Sequence, residues 1–190
     1  MMMRTKFDEK KTTQLAALLL SLKGSSSSQM HYIKLIKLLY LIDREALLKW
    51  GRPVTYDNYV SMNKGPILSR TLNLITDEQM PGQESYWLKY ISEPHNYEVV
   101  LKSNPGQKEL SDAEIDLAKK VFEKFGKMDR WQLIDFVMHQ LPEWEDPRGS
   151  AIPIEYKDIL RAGGKTPQEM NAILNELEYL QSSRDILGND

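Results

Sequence analysis

The sequence predicts a mostly helical α+β fold, a helical bundle around one central buried helix with a small antiparallel sheet beside it. Three observations carry that expectation. One long apolar segment, at about 30–50, reads as a helix with polar residues on a narrow stripe only. Three later helix starts, at Ser111, Asp129 and Thr166, carry a Glu or Gln three residues on, the spacing of a capping box. Short stretches at about 56–62, 86–91 and 97–103 show strand-like alternation or are rich in tyrosine and β-branched residues.

From about Asp8 to Leu22 the period is helical. Leu15, Leu18, Leu19 and Leu22 form one face, and Gly24 marks the stop. Ser25 to Ser28 make a short connection, with Ser28 placed to cap the helix that follows. In that central helix Lys34, Lys37, Arg44, Glu45 and Lys49 fall on one polar stripe. Ile33, Ile36, Leu39, Tyr40, Leu47 and Trp50 cover the opposite arc, which Leu35, Leu38 and Ile42 widen. A helix apolar round most of its girth is buried by several neighbours, so this segment is the expected hub.

Asp43 breaks the pattern by projecting from the middle of the apolar arc. A carboxylate there must find partners or lose its charge, because desolvating it alone is too costly for a fold to absorb. The structural reading is a buried tether that accepts hydrogen bonds from a following loop, with Arg52 or Lys64 as counter-ion. The competing reading is a catalytic carboxylate.

The hub ends at Gly51, since Pro53 pushes Arg52 out of the helical region. An extended segment is expected from about Tyr56 to Met62. Gly65-Pro66 then restarts a helix, with Ile67, Leu68, Leu72 and Ile75 toward the core. The stretches YWLKYI and YEVVLK, joined by SEPHN, form a hairpin, which Asn104-Pro105-Gly106 ends. The Ser111 helix presents Ile115, Ala118, Phe122 and Phe125 and stops at Gly126. The Asp129 helix carries Leu133, Ile134, Val137 and Leu141 up to Pro142. IEYKDILRAGG is a short helix with a glycine stop. A last helix from Thr166, with Pro167 at its first position, bears Met170, Ile173, Leu174, Leu177 and Leu180, and a polar tail from Ser182 frays.

The chain has 190 residues with 41% apolar content, enough for a real core. A net charge of −2 and a pI near 6.0 argue against a protein that coats nucleic acid. Cysteine is absent, which excludes disulfides, thiol catalysis and cysteine-ligated zinc. The apolar run Leu15 to Leu20 is too short to span a bilayer, so a cytoplasmic, soluble protein is expected. AGGKT at 162–166 resembles the end of a phosphate loop, but Ile159 stands where that loop needs glycine. No histidine pair has metal-ligand spacing, and no cofactor motif is present. His139 with Glu143, Glu145 and Asp146 flanks a helix end and is the nearest approach to a metal or hydrolytic site. The lysine stripe contains Glu45 and reads as a solvated face before a phosphate reader. There are 9 tyrosines and 4 tryptophans, a residue class enriched at binding hot spots.

Residues 37–69, KLLYLIDREALLKWGRPVTYDNYVSMNKGPILS, resemble the signature of the Panacea antitoxin domain, the SocA-like or GepA phage-associated family. The shared pattern is Lys37 to Leu41, Asp43 to Glu45, Gly51 to Pro53, Tyr59, Gly65-Pro66 and Ser69. LSDAEIDLAKKVFEKFG, the H-x-x-P-E-W stretch and Ile159-Leu160-Arg161 are also similar, so the likeness covers about 30–165. Ile42 departs from the small residue usual there. The resemblance implies one domain over 1–190, with the first and last helices packed on the family core. It implies an antitoxin that neutralises a partner toxin by direct contact, the toxin being encoded by an adjacent gene, and no catalytic residues. An adaptor that delivers its toxin to a cellular protease is the alternative within the family. A capped, amphipathic last helix leaves little room for a DNA-binding segment. The contact face expected from the residues comprises Lys34, Lys37, Arg44, Tyr56, Tyr59, Met62, Lys64 and Pro66.

Overall fold

A computed structural model describes residues 7–24, 28–77 and 85–187, with side chains to 183. The connection at 25–27 lies outside the described residues. The architecture is mostly α with small antiparallel sheets. Helix α1 (Glu9–Leu22) leads through strand β1 (Gln29–His31) directly into the hub α2 (Tyr32–Trp50). A hairpin of β2 (Tyr59–Met62) and β3 (Gly65–Leu68) follows, then α3 (Ser69–Thr76), α4 (Tyr86–Tyr90) and β4 (Glu98–Val100). The second half holds α5 (Asp112–Phe125), α6 (Arg130–Phe136), a 3-10 turn Met138–Gln140, β5 (Ile152–Ile154), α7 (Tyr156–Ala162) and α8 (Pro167–Leu187). One sheet pairs β1 with β4, and the other has the order β3-β2-β5.

The hub is buried as its composition demands. Leu35 to Asp43 have at most 3% exposure, and Ala46 and Leu47 have none. It is packed by α1, α5, α6, α7 and β3. Burying each such leucine or isoleucine contributes about 1.5–3 kcal/mol, so this one helix organises the core. The N-terminal helix α1 is buried more fully than one leucine face requires, because α2, α4 and α5 surround it. Its polar groups are used. Glu9 Oε1 accepts from Trp87 N at 3.0 Å, Gln14 Oε1 from Glu109 N at 2.9 Å, and Lys11 pairs with Glu114 at 2.8 Å.

The caps at Ser111, Asp129 and Thr166 all form, each with a reciprocal bond from the residue three on. AGGKT is a helix stop followed by the capped start of α8.

Several elements differ from expectation. The hub is capped by His31, whose Nδ1 accepts from Ile33 N at 3.2 Å, and not by Ser28. YWLKYI is not a strand. Ser85 Oγ takes Leu88 N, and Trp87, fully buried, needs a helical turn to reach α1. β4 therefore pairs with β1, in the register Met30 to Val99, and among the described residues the predicted hairpin survives as the bridges Ile91 to Leu101 and His95 to Glu98. Gly65-Pro66 opens a strand, not a helix. Gly65 has φ +91°, and a Cβ there would stand 2.5 Å from Met138 Cβ, so only glycine closes this hairpin. Pro66 is accommodated because β3 is an edge strand. The Asp129 helix breaks at Val137 into the 3-10 turn. The last helix continues to Leu187 instead of fraying from Ser182, with Ser182 Oγ and Ser183 Oγ bonded back to Glu178 O and Tyr179 O.

Candidate partner interface

Two buried carboxylates fasten the segment after the hub, Asp43 holding it to α2 and Asp57 holding it to α3. Asp43 has no exposed surface, and its Oδ1 accepts from Val54 N and Thr55 N, both at 2.9 Å. Its Oδ2 accepts from Thr55 Oγ1 and from Tyr59 Oη, the latter at 2.9 Å. Burial pushes its pKa up to about 6, against the pull of these four donors. Asp57 repeats the device one loop later. It accepts from Asn58 N at 2.6 Å, Arg70 N and Thr71 N at 2.9 Å, and Thr71 Oγ1 at 2.7 Å, so it caps α3 from a distance. Asp43 has no ion-pair partner among the described residues. Arg52 is exposed, and Lys64 lies exposed at the hairpin tip over Trp131. The expected counter-ions are therefore corrected to backbone amides and hydroxyls, which satisfy a buried carboxylate without burying a second charge.

Behind Asp43 a second cluster locks the 143 segment to the hub. The ring of Tyr59 meets Tyr40 edge-on at 5.4 Å. Tyr40 Oη donates to Glu143 Oε1 at 2.9 Å, and Arg44 Nε donates to the same oxygen at 2.6 Å. The Glu143 side chain has no exposed surface. Burial pushes the Tyr40 hydroxyl well above its ordinary pKa, and the Glu143 charge adds to this.

The His139–Glu143–Asp146 corner is not an assembled catalytic group. Glu143 is spent on Arg44 and Tyr40. His139 Nε2 lies 3.1 Å from Asn63 O with its ring stacked on Trp144 at 4.3 Å, and Asp146 Oδ1 accepts from Arg148 N. Trp144 is half-buried and donates to Met62 O at 3.0 Å, and Glu145 N donates to Ser61 Oγ. These bonds dock residues 139–149 on the hairpin. A cleft of about 510 Å³ lies beside them, with Ser61, Glu143, Glu145, Asp158 and Arg161 in its wall. Among the described residues no group of three or more His, Asp or Glu is placed to hold a metal ion.

The eight expected contact residues do not form one face. Lys37, Tyr59 and Pro66 are buried, and for Lys37 it is β3 and the 3-10 turn that cover the side helical phase assigns to solvent. Lys37 Nζ donates to Pro66 O at 3.2 Å, and burial, with Lys64 nearby, lowers its pKa to about 7. Arg44 is taken by Glu143. Lys34 is half-buried and donates to Gly126 O at 2.6 Å. Tyr56 is half-buried at φ +54°. Met62 and Lys64 alone of the eight stand in the open.

Sequence reasoning passed over what stands beside them. Trp131 on α6 is 50% exposed, and two cations lie on its ring, Arg130 at 4.9 Å and Lys64 at 5.2 Å from the centroid. The neighbouring His31 ring stacks on Tyr32 at 5.5 Å and on Tyr97 at 5.8 Å, Tyr97 being 66% exposed. Burial, then Arg130 and more weakly Lys64, hold the His31 pKa below its ordinary range, with Glu98 opposing. A lone exposed tryptophan after a helix cap was the available signal.

Fold and site together define a mostly helical α+β scaffold with an open ledge of cations on aromatic rings. The family described as antitoxin SocA-like, Panacea domain, matches residues 35–145, more than half of the chain, and the chain belongs to that family. No curated protein and no solved structure matches it. No helix among the described residues is long and apolar enough to cross a membrane.

Proposed function

We propose that this protein is the antitoxin of a toxin–antitoxin pair and neutralises its toxin by direct protein–protein binding. The membership of residues 35–145 in an antitoxin family carries the reading. The toxin is the product of an adjacent gene, and the chain acts as one unit over 1–190, with α1 and α8 packed on the family core at about 30–165. The polar groups of the hub support a scaffold role, since Asp43, Asp57 and Glu143 are each saturated by donors of the chain itself.

The test is co-expression with the products of the flanking genes. Rescue of growth together with a stable complex on co-purification is expected. If no flanking product is toxic, or if rescue occurs without a complex, direct neutralisation fails. A partner that is lost faster in the presence of this protein would make it an adaptor for a protease.

A further inference from the structure

We propose that the ledge formed by Lys64, Arg130 and Trp131 is the docking site for an acidic, aromatic-bearing segment of the partner protein. The inference rests on the antitoxin reading and names the chemistry of its contact.

The ledge joins two elements distant in sequence. Lys64 sits in the turn between β2 and β3, and Arg130 and Trp131 open α6. Both cations lie over the same indole, at 5.2 and 4.9 Å from its centroid. Among the described residues neither has a carboxylate within ion-pair distance. The nearest acid in sequence, Asp129, spends its Oδ1 on Trp131 N at 2.8 Å and Gln132 N at 2.9 Å. Asp135, one turn on from Trp131, is exposed and makes no ion pair. Arg130 and Lys64 both act on the His31 ring, and Lys64 also on Lys37, so their positive fields overlap at this surface.

Arginine and tryptophan together are the residues most enriched at binding hot spots, and a rigid indole holds the guanidinium plane ready for a carboxylate. The His31–Tyr32–Tyr97 stack extends the aromatic surface next to it. Phe136, 70% exposed, is about 140° round α6 from Trp131 and belongs to another face. A single-stranded nucleic acid would also seek aromatic rings and cations. It is disfavoured because the chain has a net charge of −2 and a pI near 6.0, where a nucleic-acid binder carries a basic excess.

The probe is a glutamate–tyrosine copolymer, titrated against the full chain with tryptophan fluorescence as the readout, at low and at physiological salt. Binding is expected at low salt and weakens as salt rises. The double variant Lys64→Glu with Arg130→Glu weakens it at least about tenfold. Lys49→Glu, which reverses a cation lying 5.6 Å over Trp50 away from the ledge, stays within about twofold. A Lys64→Gln and Arg130→Gln pair gives the same ranking if the reversed pair does not fold, folding being judged by thermal melting. Absence of copolymer binding, binding unchanged in the charge variants, or tighter binding of a lysine–tyrosine copolymer or of single-stranded oligothymidylate overturns the proposal. The two readings fail separately. A toxin complex that forms equally well with Lys64→Glu and Arg130→Glu removes the ledge and leaves the antitoxin. Copolymer binding without any toxin complex removes the antitoxin and leaves the ledge.

Discussion

Asp43 and Lys37 are buried on one helix within two turns, and their ionisation acts on stability in opposite directions. The folded pKa of Asp43, about 6, lies above the ordinary 3.8. The folded state therefore holds a proton that the unfolded chain has released between these values, and stability falls as pH rises through that window. The total loss is about 3 kcal/mol. Lys37 is lowered from 10.5 to about 7, so between these values the unfolded chain binds the extra proton and stability rises with pH. Its slope approaches about 1.4 kcal/mol per pH unit. Urea denaturation of Lys37→Met is expected to show that slope gone from the pH 7–10 range, with higher stability than wild type at pH 7. An unchanged slope would mean that the ammonium stays charged in the fold. Asp43→Ala strands four buried donors and should cost at least about 3 kcal/mol, while Tyr59→Phe, which removes one, should cost about 1 kcal/mol.

At the scale of elements the hairpin is the part most exposed to a single change. Gly65 combines φ +91° with a Cβ position 2.5 Å from Met138. Gly65→Ala is expected to lower stability by about 2–4 kcal/mol, from left-handed strain and overpacking together. The loss should appear as a drop in Tm and as faster amide exchange at Asn63, Lys64, residue 65 and Ile67. Ser111→Ala removes half of a capping box on α5 and should cost about 1 kcal/mol, without touching the hairpin. The difference between the two follows from packing. A helix cap is a local device, whereas the β2–β3 turn is wedged between the hub lysine and the 3-10 turn.

For the whole molecule, Arg44, Tyr40 and Glu143 hold the second half of the chain against the hub. Arg44→Met leaves the Glu143 carboxylate buried with only Tyr40 and is expected to cost about 3–5 kcal/mol. Arg44→Met with Glu143→Gln should recover part of that loss in a double-mutant cycle, because the unpaired charge is then gone. Trp131→Ala provides the contrast. It alters a half-exposed side chain at the rim, so its melting curve should match wild type within about 0.5 kcal/mol while toxin binding weakens. A variant that loses both together would place Trp131 in the core and not in an interface.

Period and punctuation alone determined the hub, the three capping boxes, the glycine stop at Gly163 and an extended segment ending at Met62, which starts at Tyr59 and not at Tyr56, where φ is +54°. These follow from interactions within a few residues and from one helix's need to bury an apolar girth. The KLLYL-x-D-R-E motif likewise carries the likeness to the antitoxin family by itself. Tertiary structure alone decided the pairing of β1 with β4, the helical turn of YWLKY and the burial of Lys37. It also decided the meeting of Arg44 with Glu143, 99 residues apart, and of Lys64 with Trp131. Helical phase says which side of a helix a residue occupies, but what covers that side is set by chain that returns from far away in sequence.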